Sequence, residues 1–217
     1  MQLSKAVRAR VLTVFQRIAL RLLPVMAVLS VAAGFSGPSQ AHPHVFIDGI
    51  TDVVFENGKI VGIRQRWTFD DVFSLLMIED FDKNKNGRFD KAEIEALRKG
   101  AFDAVREFGY FTHIRLDDRK IAVNRVSEFS ASLANGRISY SFMVPFAEPV
   151  DPKTTKVDLG TYDDTFYVSV TSDAIDPVRL SGAGSSGCHF KMYEDVENPI
   201  YFGMVVPKRA KILCAAG

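Results

Sequence analysis

The sequence predicts a mainly β protein: an antiparallel β-sandwich-like domain interrupted by one helical insertion, α+β overall. Three observations predict it. Apolar and polar residues alternate over short runs, the period of half-buried strands. Asn57-Gly58 and Asn135-Gly136 separate such runs, as the turns of tight hairpins do. One stretch, 68–109, changes to helical spacing. The 217 residues are 47% hydrophobic and 24% charged, which excludes a disordered chain, a collagen and a multi-span membrane protein.

The chain begins with an address. Residues 1–41 hold five cations (Lys5, Arg8, Arg10, Arg17, Arg21) and no carboxylate. An apolar run from Leu22 to Ala33 follows, too short for a comfortable membrane span. Ser39-Gln40-Ala41 then puts small residues where a signal peptidase reads. The expectation is a cleavable signal peptide over 1–41 and a single periplasmic domain over 42–217; the alternative is an uncleaved amphipathic anchor. The expected mature part carries 22 cations against 26 carboxylates. That mild acidity argues against nucleic acid as a partner. Its two cysteines, Cys188 and Cys214, are expected to form a disulfide, which persists outside the cytoplasm. A thiol metal site lacks its usual Cys-x-x-Cys spacing.

The strands follow in order. Val45 to Phe55 forms the first, and Val61, Ile63, Gln65, Trp67 and Phe69 line one face of the second. Phe129, Ala131 and Leu133 alternate with serines, and Ile138, Tyr140, Phe142, Val144 and Phe146 line the next strand. Val157 and Leu159, then Phe166, Val168 and Val170, then Cys188, Phe190 and Met192 continue the pattern. Within 68–109, Thr68 and Asp71 resemble a capping box, and Val72, Phe73, Leu75, Leu76 and Ile78 make an apolar entering helix. Ile94, Leu97, Ala101, Val105 and Phe108 share one face of an exit helix that Gly109 stops.

Between these helices lies Asp82-Lys83-Asn84-Lys85-Asn86-Gly87-Arg88-Phe89-Asp90-Lys91-Ala92-Glu93, which fits the EF-hand pattern. The calcium ligands would be Asp82, Asn84, Asn86, the carbonyl of Arg88, Asp90 and Glu93. Ca²⁺ takes six to eight hard oxygens, and a glycine at the sixth place turns the chain sharply enough to gather them. Four cations in the loop oppose three carboxylates, and two ligands are neutral amides, so weak binding is expected, about 10⁻⁴–10⁻³ M. No second loop is present to pair with it, which favours a structural site over a sensor. Magnesium or a transition ion is the minor alternative.

Cleavage after Ala41 would make His42-Pro43-His44 the new terminus. The α-amine and Nδ1 of His42 chelate one metal in a six-membered ring, and His44 supplies a further imidazole. Nitrogen ligands suit Cu²⁺, Ni²⁺, Co²⁺ and Zn²⁺. His113 and His189 would complete such a site, but each shares a strand face with a cation, Arg115 or Lys191, and reads as solvated. Gly182-Ala183-Gly184-Ser185-Ser186-Gly187 fits G-x-G-x-x-G but precedes a strand, so it reads as a loop. Asp117-Asp118 and Asp163-Asp164 read as solvated turn residues. Trp67 reads as core.

The order of these pieces carries a resemblance. The leader releasing His-Pro-His-Val-Phe-Ile, the Trp67-Thr68-Phe69-Asp70 run, the Asp82–Glu93 loop and the late cysteine pair are similar to an uncharacterised family of bacterial periplasmic proteins. Its members are often labelled periplasmic components of an ABC-type transport system, and some are encoded beside nickel/cobalt-type permeases. The resemblance implies export and metal-ion handling, with no catalytic residue to carry over. The functional expectation is a non-enzymatic periplasmic accessory of transition-metal transport. It would have a structural calcium loop, and a membrane permease or ABC-type transporter as partner. The alternative is a calcium-stabilised envelope interaction module with no transition-metal role. A copper enzyme of the histidine-brace type is disfavoured, because no third ligand or substrate platform is evident.

Overall fold

The computed structural model describes residues 43–171 and 177–215. The expected signal peptide and His42 lie outside them. In chain order the elements are β1 (Val45–Glu56), β2 (Lys59–Phe69), α1 (Asp71–Phe81), α2 (Lys91–Leu97), a π-helical turn (Arg98–Phe102) and a 3₁₀ segment (Asp103–Phe111). Then come β3 (Thr112–Leu116), β4 (Arg119–Ile121), β5 (Ser127–Ala134), β6 (Arg137–Val150), β7 (Val157–Thr161), β8 (Val168–Thr171), β9 (Val178–Gly182), β10 (Cys188–Glu194) and β11 (Lys208–Cys214). One sheet has the order β5-β6-β2-β1-β8, with β9 also on β1; the other runs β10-β11-β7-β3-β4. Their inner faces contribute to one core cluster.

The mainly β class holds, but the first sheet is mixed rather than antiparallel. β8 pairs in parallel with the first half of β1 and β9 with its second half. Alternation sets which face a residue takes and says nothing of strand direction. Hairpin partners such as β1–β2 must run antiparallel; strands that return by a long crossover are free to run parallel. Both Asn-Gly pairs are hairpin turns, with φ of +49° and +78° at Asn57 and Gly58 and +52° and +76° at Asn135 and Gly136.

The helical insertion begins later than its spacing predicts, and the helical backbone breaks at Gly109, φ +59°, where a stop was expected. β2 continues through Thr68 and Phe69, and Thr68 hydrogen-bonds Ser139 on the sheet instead of capping a helix. Asp70 is the cap: its Oδ1 accepts from the Phe73 N–H at 2.9 Å and its Oδ2 from the Phe46 N–H at 2.8 Å. One carboxylate thus satisfies an orphan helix donor and a strand donor together. After Leu97 the backbone widens into the π turn, which shifts the buried face. Phe102 is buried where Phe108 was expected, and Phe108 is exposed. Left-handed backbone at Gly109, Tyr110 and Phe111 then leads into β3.

Trp67 anchors the core beneath these segments. Its ring centroid lies 4.7 Å from that of Phe142 and 5.7 Å from that of Phe111, and Phe102 stacks on Phe129 at 4.2 Å. Gln65 is buried too, as the centre of a polar seam. Its amide donates to Thr112 and Thr161, and its carbonyl accepts from Thr51. Cys188 and Cys214 are bridged, joining directly opposed residues of β10 and β11. The Gly182–Gly187 segment connects β9 to β10 and is followed by a strand, not a helix. Gly182 and Gly184 have positive φ, and side chains there would strike Phe55 and Gly58 of the β1–β2 hairpin. Those two glycines serve close backbone approach.

Candidate functional site

The loop between α1 and α2 is wound by its own side chains. Asp82 ends α1, and Asp90 starts α2 by accepting from the Ala92 and Glu93 N–H groups. Asp82 accepts from the backbone of Asn86 at 3.2 Å and of Gly87 at 2.9 Å. Asn84 accepts from the Asn86 N–H and Asn86 from the Arg88 N–H, so two successive Asx turns build the curve. Gly87 sits at φ +73°, the left-handed turn that favours glycine. Glu93 closes the loop: Oε1 accepts from the Lys83 and Asn84 N–H groups, and Oε2 from that of Asp90.

Charge makes this loop unusual. Asp82 and Glu93 are only 5% and 7% exposed. Among the described residues neither has a cationic side chain as an ion-pair partner, while Lys83, Lys85, Arg88 and Lys91 all face solvent. Buried carboxylates ordinarily require a counter-charge. Backbone dipoles alone compensate these two. The oxygens able to hold a cation are the side chains of Asp82, Asn84, Asn86, Asp90 and Glu93 with the Arg88 carbonyl. An oxygen-only set fits a hard ion and not a nitrogen-seeking one. Among the described residues no three His, Cys, Asp or Glu side chains converge as a metal cluster, and oxygens of Asp82, Asp90 and Glu93 are turned to backbone N–H groups.

The histidines are not brought together. His42 lies outside the described residues. His44 is exposed just before β1, its N–H bonded to the Tyr167 carbonyl and its ring 4.8 Å from that of Tyr167. His189 is exposed on β10. His113 is not on a solvated face: its ring stacks on Tyr162 at 3.8 Å, and its Nε2 meets the Tyr162 carbonyl at 2.9 Å. Burial pulls its pKa below the ordinary value, and the Tyr162 carbonyl offsets this only in part.

That stack covers a charge network missed by sequence reasoning. Tyr162 folds back over Gly160, whose missing side chain leaves the room. Arg209 is 1% exposed, bonded to Asp158 and to the Tyr162 hydroxyl. Arg115 donates to Asp195 at 3.0 Å, and Tyr193 donates to Asp158 at 2.6 Å. Burial opposes the Asp195 carboxylate, but Asn198 and Arg115 outweigh it and hold its pKa below the usual carboxylate value. Burial and the Asp158 bond push the Tyr193 hydroxyl up to about 12. Asp163 is also buried, accepting from Thr165 and the Val168 N–H, whereas Asp117 and Asp118 are exposed turn residues as expected. The available sequence signal was Gly160 two residues before an aromatic in a strand.

The profile of a family described as a protein of unknown function, DUF1007, matches residues 27–201. An uncharacterized 15.5 kDa protein in the trpE 3′ region of Spirochaeta aurantia is 36% identical over 136 residues, which is 63% of this chain and 96% of that protein. An uncharacterized protein of Haemophilus influenzae is 30% identical over 156 residues, 71% of this chain and 73% of that protein. No solved structure matches the chain.

Proposed function

The chain belongs to the DUF1007 family, and since that family has no assigned function, we propose a role read from the chain's own residues. It is an exported, non-enzymatic accessory of transition-metal transport, on a domain whose EF-hand-like insertion is held by calcium. The observation that carries the calcium part is the pair of buried carboxylates, Asp82 and Glu93, with no cationic partner among the described residues. Calcium there would supply the missing positive charge and hold α1 and α2 in register. The transport part rests on the sequence: a leader that would expose the His42 amine, followed by His44, for exchange of Ni²⁺, Co²⁺, Zn²⁺ or Cu²⁺ with a membrane permease or ABC-type transporter.

Two experiments test these parts separately. Ca²⁺ is expected to raise the thermal midpoint of the wild-type domain, and Glu93→Gln to remove most of that rise; an equal response in both proteins refutes the calcium site. Protein starting at His42 is expected to bind the four transition ions more tightly than protein with one extra N-terminal residue. Equal affinities refute the terminal site. Intact mass of the exported protein fixes the terminus itself. A second reading, a calcium-stabilised envelope module without transition-metal exchange, is favoured by one observation: His113, which the sequence offered as a further ligand, stacks on Tyr162 and meets its carbonyl.

A further inference from the structure

Among the described residues, the sandwich is not filled on its β8–β9 side. A cavity of about 390 Å³ lies between β1 and β8 of one sheet and β7 and β11 of the other. That is within the range of small-molecule sites, roughly 300–1,000 Å³. Much of its wall is apolar, with Val168, Val170, Val178 and Leu159 from the strands and Ile200 and Val205 from the β10–β11 connection, while Tyr162, Asp163 and Arg209 bring polar groups to one part of it.

Most of the polar side chains that line it are already engaged, Arg209 among them through Asp158 and Tyr162. Thr51 and Thr161 belong to the Gln65 seam, the Tyr162 hydroxyl accepts from Arg209, and Asp163 accepts from Thr165 and Val168. A polar ligand would find few unused donors inside, whereas an apolar chain needs none. At the rim, Lys208 stands among the lining residues and is exposed, so one cation marks the mouth. The rim also continues into an apolar hairpin. Ile200 bridges to Val205, and between them Phe202 is 95% and Met204 66% exposed. Tyr201 and Phe202 both hold positive φ, +48° and +56°, which bulky residues rarely adopt. Such strain and such exposure are kept where a segment has work at a surface.

We infer that this cavity binds a single acyl chain whose anionic head emerges beside Lys208. The inference is independent of the calcium loop and of the terminal histidines. A free fatty acid and a lysophospholipid share the required chemistry.

The test is titration of the purified, disulfide-bonded domain with a dansyl-labelled undecanoic acid, read by fluorescence. Saturable binding near one equivalent is expected, displaced by dodecanoate, by a twelve-carbon lysophosphatidylglycerol, or by both, the pattern identifying the head. Val170→Trp, which fills the cavity, is expected to weaken binding by about tenfold or more. Val178→Phe serves the same end if the tryptophan variant fails to keep the wild-type circular dichroism. Absent or unsaturable binding by the wild type overturns the inference, as does undiminished affinity in a folded, cavity-filled variant.

Discussion

On the β2–β6–β5 side the gap between the sheets is closed by rings. Trp67, Phe69, Phe102, Phe111, Tyr140 and Phe142 are all buried there, and the helical insertion adds Phe73 against Phe69 at 4.4 Å. On the β8–β9 side valines, leucine and isoleucine are mixed with Tyr162, Phe166 and the charged Asp163 and Arg209, and among the described residues a cavity remains. The polar seam of Gln65 with Thr51, Thr112 and Thr161 stands between the two. Aromatic rings bury more area per residue than aliphatic side chains and close a wide gap with fewer residues. The β8–β9 side gains its order from covalent and electrostatic ties: the Cys188–Cys214 bridge and the Arg209 network. One side is held by packing and the other by staples around a space.

The largest expected effect tests the packed side. Trp67→Ala should cost about 3–5 kcal/mol in urea unfolding, as full truncation of a buried aromatic does. Val170→Ala, which only enlarges an existing space, should cost about 1 kcal/mol, little more than its lost methyl groups. Equal losses would erase the contrast. Next, replacing both Cys188 and Cys214 by serine should cost about 2–4 kcal/mol. Hydrogen exchange should then rise in β10 and β11 while β2 and β6 stay protected; uniform loosening would show that the bridge serves the whole core. Gln65→Met should cost about 1–3 kcal/mol by removing three hydrogen bonds from the seam, leaving Thr51 only with Thr161 and Thr112 only with the Tyr110 carbonyl. A neutral result would mean that the seam repacks.

The smallest effect is a pH dependence on the stapled side. His113 has a lowered pKa in the folded protein, against an ordinary value of 6.5. The unfolded chain therefore takes up a proton first as pH falls. The contribution of neutral His113 to stability is present above about pH 6.5 and is lost on acidification toward its folded pKa. His113→Phe should keep the stack on Tyr162 and flatten this slope. An unchanged slope would assign it to other groups. Asp195 works in the same direction at lower pH, because its own folded pKa is depressed.

Local pattern was informative wherever one residue's face or one turn's geometry was at stake. Both Asn-Gly hairpins, the buried Trp67 and the helix–loop–helix position are local matters, set by period two, by left-handed turn residues and by apolar spacing, whereas the cysteine pairing follows from the chain having two cysteines. The cap was missed by two residues, because Thr68 competes for a cross-strand partner and Asp70 reaches both Phe73 and Phe46. The exit helix departs from regular spacing at the π turn Arg98–Phe102, which apolar periodicity does not encode.

The sequence by itself determined the β content, the place of the helical insertion and the oxygen-rich loop from Asp82 to Glu93, since each follows from spacing along the chain. Only the tertiary structure decided that β8 and β9 run parallel to β1, that Arg209 and Asp163 are buried, and that a space persists beside Val170. Strand direction, burial of a charge and an unfilled gap depend on residues distant in sequence meeting across two sheets. No periodicity within one strand records that meeting.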